Sequence, residues 1–135
     1  MPPVVRIRRE IVDWLSAEAL RSSQLECCGL LAGVGGRISA AFPARNALAS
    51  PVAFEIAPED LFAIFRSIRA GGLEHLGIYH SHPAGPETPS PTDVDRADYP
   101  EVAYFILSPR AEEQARIRAF SIRNGRIAEL EIDRI

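Results

Sequence analysis

The chain has 135 residues, enough to bury a core of its own, so residues 1–135 are expected to form one domain. Hydrophobic residues make up 47% of it and charged residues 24%, and the net charge of −3 argues against the basic stripe that nucleic-acid binding needs; the arginines alternate with apolar residues, as on solvated strand faces. There is no run resembling a membrane span or a secretory signal, and the only cysteines, Cys27 and Cys28, are adjacent and too close for an unstrained bridge, so a reduced, cytoplasmic protein with no membrane partner is expected.

Val4 to Arg8 alternates apolar and basic residues and predicts an opening strand. Ile11, Trp14, Leu15 and Ala19 then recur at steps of three and four, which predicts an amphipathic helix of about three turns. The apolar run Cys27 to Ala32 predicts a buried strand ending in a turn at Gly33, Gly35 and Gly36, and another strand is expected over Ile38 to Arg45. Pro58 opens a second helix, with Leu61, Phe62, Phe65 and Ile68 on one face and Gly71-Gly72 at its close. Leu76 to His82 reads as a central strand and Val102 to Leu107 as another. From Ala115 to Ile132 alternation is broken by Asn124-Gly125, a strong hairpin signal. Together these elements predict an α/β (α+β) fold with a single mixed β-sheet, flanked by two longer helices and a short one.

The chemistry gathers at His80-Ser81-His82-Pro83 and Ser90-Pro91-Thr92-Asp93. On a strand, His80 and His82 point the same way with Cα atoms about 6.5–7 Å apart, so both rings can converge on one ion. Pro83 ends the strand there and opens it to solvent. Two histidines in that pattern alone are more readily explained by chance on a half-exposed strand. Asp93, a hard oxygen ligand across a Pro/Gly-rich loop, shifts the balance, because three protein ligands leave a fourth tetrahedral position for water. Ser-Pro-Thr-Asp also has the form of a helix start, and taken alone Ser90 and Asp93 read as capping residues; the two roles are compatible. Glu26, by itself, reads as an exposed strand-edge carboxylate, of interest because zinc hydrolysis needs a carboxylate that is not a ligand. His75 is expected near the surface or supporting the ligands, and Asp95 and Asp98 on the solvated turns of the helix that Asp93 begins. Cys27 and Cys28 alternate across a strand and are expected to be small buried hydrophobes, not paired ligands.

His80-Ser81-His82, seven residues, Ser90, two residues, Asp93 resembles the JAMM motif of the MPN-domain metalloproteases, and Glu26-Cys27-Cys28-Gly29-Leu30-Leu31 is similar to that family's upstream glutamate segment. The resemblance implies an MPN/JAMM, cytidine-deaminase-like architecture. It implies one Zn2+ per chain on His80, His82 and Asp93, Glu26 as general acid/base, and Ser90 as hydrogen-bond donor to the oxyanion. It implies hydrolysis after the C-terminal glycine of a ubiquitin-like or sulfur-carrier protein ending in Gly-Gly. The chain is compact, with 53 residues between Glu26 and His80, which resembles prokaryotic members of the family. A nucleobase deaminase would need H-x-E and a later P-C-x-x-C, both missing. A DNA-repair-associated group with histidine-asparagine-histidine is disfavoured by Ser81 and the acidic charge. A non-catalytic MPN-type interaction module is the alternative, and a homodimer is compatible with the sequence.

Overall fold

The computed structural model describes residues 3–22, 24–109 and 115–135. Its elements follow as β1 (Val4–Ile7), α1 (Arg9–Arg21), β2 (Cys28–Val34), β3 (Arg37–Ala44), α2 (Pro58–Ala70), β4 (Glu74–Ser81), α3 (Pro91–Asp95), β5 (Ala103–Ser108), β6 (Arg116–Arg123) and β7 (Arg126–Arg134). The mixed sheet has the strand order β1-β3-β2-β4-β5-β6-β7 and closes on itself, because β1 pairs in parallel with both β3 and β7. The sequence reading had one mixed sheet; that its two ends meet comes from pairings between the first and last strands.

Alternation along the strands divides the apolar side chains between two cores. Leu31, Tyr79, Phe105 and Leu107 pack with Val12, Leu15 and Ala19 of α1. Leu30, Ile78 and Tyr104 pack on the other face with Ile64 and Ile68 of α2. Phe62 is a correction: expected on the buried face of α2, it is 67% exposed. Ile64 takes its place beside Ile68, with Leu61 and Phe65 partly buried, and the Arg66 guanidinium lies over the Phe62 ring at 5.8 Å from its centroid.

Two glycines show why the chain needs them. A Cβ on Gly29 would stand 2.4 Å from the Phe42 carbonyl oxygen and 2.5 Å from the Tyr79 hydroxyl, so β2 can lie against these neighbours only without a side chain there. Asn124 and Gly125 both take left-handed φ, 51° and 76°, the requirement of the tight turn that joins β6 to β7.

β4 is the strand that matters most for chemistry. It is flanked by antiparallel β2, with Cys28 opposite His80, and by parallel β5, with Ile106 opposite His80. Both faces are covered, and its C-terminal half is buried throughout. Past its end, the His82 N–H donates to the Leu107 carbonyl at 2.9 Å, which holds the second histidine in line with the first.

Candidate metal centre

The period of two in β4 puts Ile78, His80 and His82 on the α2 side and Tyr79 and Ser81 on the α1 side. Ser81 is fully buried, as a small residue should be, and its Oγ also accepts from the Cys27 N–H at 2.9 Å. That bond and the Ser81 N–H to the Cys27 carbonyl tie the start of β2 to the histidine strand.

His80 and His82 turn their Nε2 atoms towards each other at 2.9 Å. Asp93 Oδ2 lies 3.0 Å from His82 Nε2 and 3.2 Å from His80 Nε2. The His82 ring is fixed from behind, because Nδ1–H donates to the Pro86 carbonyl at 2.7 Å, so Nε2 is the lone pair when the ring is neutral and the donor to Asp93 when it is charged. Phe54 stacks on the face of His80, with centroids 4.3 Å apart and planes 18° from parallel.

Asp93 owes its place to local sequence. Ser90 caps α3: its Oγ accepts from the Asp93 N–H at 3.1 Å, while Asp93 Oδ2 accepts from the Ser90 N–H at 2.8 Å. Proline at the first helical position completes the start. The capping function expected of Ser-Pro-Thr-Asp is therefore present, and it aims Asp93 at the histidines. With its Oγ accepting from Asp93, the Ser90 hydroxyl keeps its own proton to donate. The helix is shorter than expected, five residues, so Asp95 is its last residue and Asp98 lies beyond it; both are exposed.

Glu26 is not at an exposed edge. It is 4% exposed, and its Oε1 is buried without a hydrogen-bond partner among the described residues. Glu26, His80 and His82 each offer a ligand atom within 4.8 Å of the others. Burial pushes the Glu26 carboxyl up to about 7, partly countered by His82 and reinforced by Asp93. Burial also opposes charge on Asp93, but hydrogen bonds from His80 and His82 outweigh it and hold that carboxyl far below its usual range. Burial lowers His80. It also works against His82, but the hydrogen bonds to Asp93 and to the Pro86 carbonyl raise that ring overall.

The donor set suits a cation. A tetrahedral ion with bonds of about 2.0–2.1 Å spaces its ligands by about 3.3 Å, close to the 2.9–3.2 Å among the three atoms. Two imidazole lone pairs and a carboxylate aimed at one point form a repulsive arrangement until a proton or a metal stands between them. Cys28 shares the His80 register, but its Sγ faces the Ala44 carbonyl at 3.7 Å, and burial keeps its thiol protonated by raising it to about 12. His75 lies apart, bonded to the Gly77 carbonyl and packed between Phe65 and Tyr99.

Sequence reasoning missed the segment between β3 and α2. Phe54 covers His80, and Arg96 just past α3 donates to the Phe54 carbonyl at 3.2 Å. Asn46 bonds to the backbone of Glu26. These residues follow no helical or strand period, and only the turn-forming character of Asn46 hints at a built loop.

Comparison with known proteins gives concordant results. The family profile for prokaryotic homologues of the JAB domain matches residues 8–123. A desampylase of Haloferax volcanii is 42% identical over 87 residues, 62% of this chain but only 63% of that protein's length. A CysO-cysteine peptidase of Mycobacterium tuberculosis is 32% identical over 128 residues, covering 93% of this chain and 88% of the relative. Among solved structures, a protein of Desulfitobacterium hafniense superposes with a TM-score of 0.85 at 28% identity, covering 96% of this chain and 92% of that one. A JAB1/MPN domain protein of Archaeoglobus fulgidus superposes at 0.61 over 96% of each chain; at 19% identity it speaks for the fold alone.

Proposed function

This chain belongs to the family of prokaryotic homologues of the JAB domain, and from that premise we propose that it is a zinc-dependent hydrolase of the JAMM type, cleaving the amide bond after the C-terminal glycine of a ubiquitin-like or sulfur-carrier protein. The observation that carries this reading is the convergence of His80 Nε2, His82 Nε2 and Asp93 Oδ2 beside the buried Glu26, whose Oε1 has no hydrogen-bond partner among the described residues. His80, His82 and Asp93 hold one zinc per chain. The relatives named desampylase and CysO-cysteine peptidase support a peptidase acting on a carrier-type protein. A narrow approach that admits a Gly-Gly tail follows from the same family membership. The unbridged Cys27 and Cys28 fit a reducing compartment such as the cytoplasm, and no helix among the described residues is long and apolar enough to cross a membrane.

When bound, zinc supplies a Lewis acid and lowers the pKa of water towards about 7. The residues around it do the rest. Glu26, pushed up to about 7, is poised to take a proton from the attacking water and return it to the departing amine near neutral pH. The Ser90 hydroxyl donates to the oxygen that gains charge as the carbonyl is attacked. The Pro86 carbonyl holds the His82 tautomer, and the Ser90 N–H orients Asp93.

The test joins metal content to cleavage. Wild type and Glu26→Ala should each carry about one zinc per chain, and His82→Ala should carry none. The substrate is a ubiquitin-fold protein whose C-terminal Gly-Gly is joined by an amide to a single cysteine, with a second version joined to the Nε of a lysine peptide. Wild type should cut at least one of these and Glu26→Ala neither. Zinc-loaded wild type that leaves both intact would make this chain a non-catalytic interaction module instead.

A further inference from the structure

Glu26 stands two residues ahead of β2, outside the ladder that holds the histidines, and the loop after β3 supports its backbone instead. The Glu26 N–H donates to the Ser50 carbonyl at 2.9 Å, and the Glu26 carbonyl accepts from Asn46 Nδ2 at 3.1 Å. The same amide nitrogen donates to the Ala53 carbonyl at 2.9 Å and lies 3.5 Å from that of Ser50. Asn46 Oδ1 accepts from the N–H groups of Leu48 and Glu55 at 3.0 and 3.1 Å. A carboxamide has two N–H donors and two accepting lone pairs, so this side chain is fully used. It ties both arms of the loop to the backbone of one residue, and that residue is Glu26.

Oε1 of the carboxyl gives no such anchorage, having no partner among the described residues. The hydrogen bonds that hold Glu26 in place reach its backbone N–H and carbonyl. We propose that Asn46 is a positioning residue for Glu26, its carboxamide fixing the backbone from which the carboxyl is projected towards the histidines. This inference rests on the proton-carrying role given to Glu26 above. The rival role is a loop staple with no bearing on Glu26, and the two make different predictions because only part of the Asn46 hydrogen bonding reaches that residue.

Asn46→Asp separates them. An aspartate keeps the shape and the acceptor that faces Leu48 and Glu55, but sets an oxygen against the carbonyls of Glu26 and Ala53. In the zinc-loaded protein, on the Gly-Gly-cysteine fusion or the lysine version if that is the one cut, kcat should fall by about 10²-fold, the penalty of a misplacement of about 1 Å. KM should stay within about twofold and zinc at about one per chain. Asn46→Ala, which puts no charge against the carbonyls, should show the same split and serves if the aspartate variant does not fold. Combined with Glu26→Asp, each should lose less than the product of the separate losses, as residues acting through one another do. Wild-type kcat in a folded Asn46 variant, a loss that tracks zinc loss or a rise in KM, or fully multiplicative losses would overturn the proposal. Glu26→Gln, run alongside, keeps the two readings apart. If it retains wild-type kcat, the proton role of Glu26 fails; if it is inactive while the Asn46 variants are normal, only the positioning role fails.

Discussion

Replacing Glu26 by glutamine should stabilise the metal-free protein above neutral pH, a direct consequence of burying its carboxyl. In the folded chain Glu26 is raised from an ordinary 4.5 to about 7 by burial. An acid raised by folding binds its proton more tightly in the native state. Between those two values the unfolded chain is ionised while the folded one is not, so the unfolded state carries fewer protons and stability falls as pH rises. The loss begins above about 4.5 and is complete above about 7. A shift of about 2.5 units at about 1.4 kcal/mol per unit gives at most about 3.5 kcal/mol, of which about 2.5 kcal/mol falls between pH 5 and 8, and Glu26 is 4% exposed. Glutamine has no such titration. The assay is thermal melting of chelator-treated wild type and Glu26→Gln from pH 5 to 8, read as the difference between the two at each pH. That difference removes the contributions of His80, His82 and Asp93 to first order. It should grow in favour of the variant by about 10 °C across the range, taking about 3–5 °C per kcal/mol for a chain of this size. A difference that stays constant from pH 5 to 8 would show that the folded carboxyl titrates as it does in the unfolded chain, and the argument from burial would be wrong.

Ser90→Ala should separate two roles of one side chain: loss of the cap costs about 1 kcal/mol in the melting of metal-free protein, and loss of the oxyanion donor lowers kcat by about 10²–10³. Zinc should stay bound, because the Ser90 bond to Asp93 Oδ2 comes from the backbone N–H. Gly29→Ala should destabilise by about 1–3 kcal/mol in a urea titration, since its new Cβ meets the backbone oxygen of Phe42 at 2.4 Å and the fully buried Tyr79 ring at 2.5 Å, neither free to move aside. Phe54→Ala removes the stack on His80. A stacked pair is worth about 0.5–1.5 kcal/mol, so zinc competition against a chelator should show retention weakened by about two- to tenfold; unchanged retention would mean the stack does not orient the ring.

What the sequence made legible is what short-range geometry controls. The histidines could be placed on one face because a strand repeats every two residues, and Ser90 with Asp93 could be read as a cap because the capping box spans four. The same logic found the Asn124-Gly125 turn. The burial of Glu26 could not be read this way, since two residues before a strand nothing local separates an exposed edge from a covered one. It is decided by the register of Cys28 against His80 and by the 46–56 loop folding over the site, both products of distant pairing. Closure of the sheet is hidden for the same reason, resting on Val4 to Ile7 meeting Glu131 to Arg134. The α2 pattern was read one position wrongly at Phe62, because Ile64, Phe62 and their neighbours are all apolar and hydrophobicity alone cannot rank them.

The costs of this chemistry are concentrated in a small region. Glu26 Oε1 and His80 Nδ1 are buried without partners among the described residues, and the Nε2 atoms of two histidines face each other at 2.9 Å. Each is a local penalty that a packed apolar replacement would remove. The chain bears them because the side chains of the site come from three segments held independently: the histidines by β4 between two strands, Asp93 by the cap of α3, and Glu26 by the Asn46 loop. A metal bound there would find His80, His82 and Asp93 already converged, and would relieve the repulsion among their lone pairs. Preorganisation and strain are then one property of the site, which is why the substitutions that relieve it, Glu26→Gln first among them, should produce a more stable protein and a poorer catalyst.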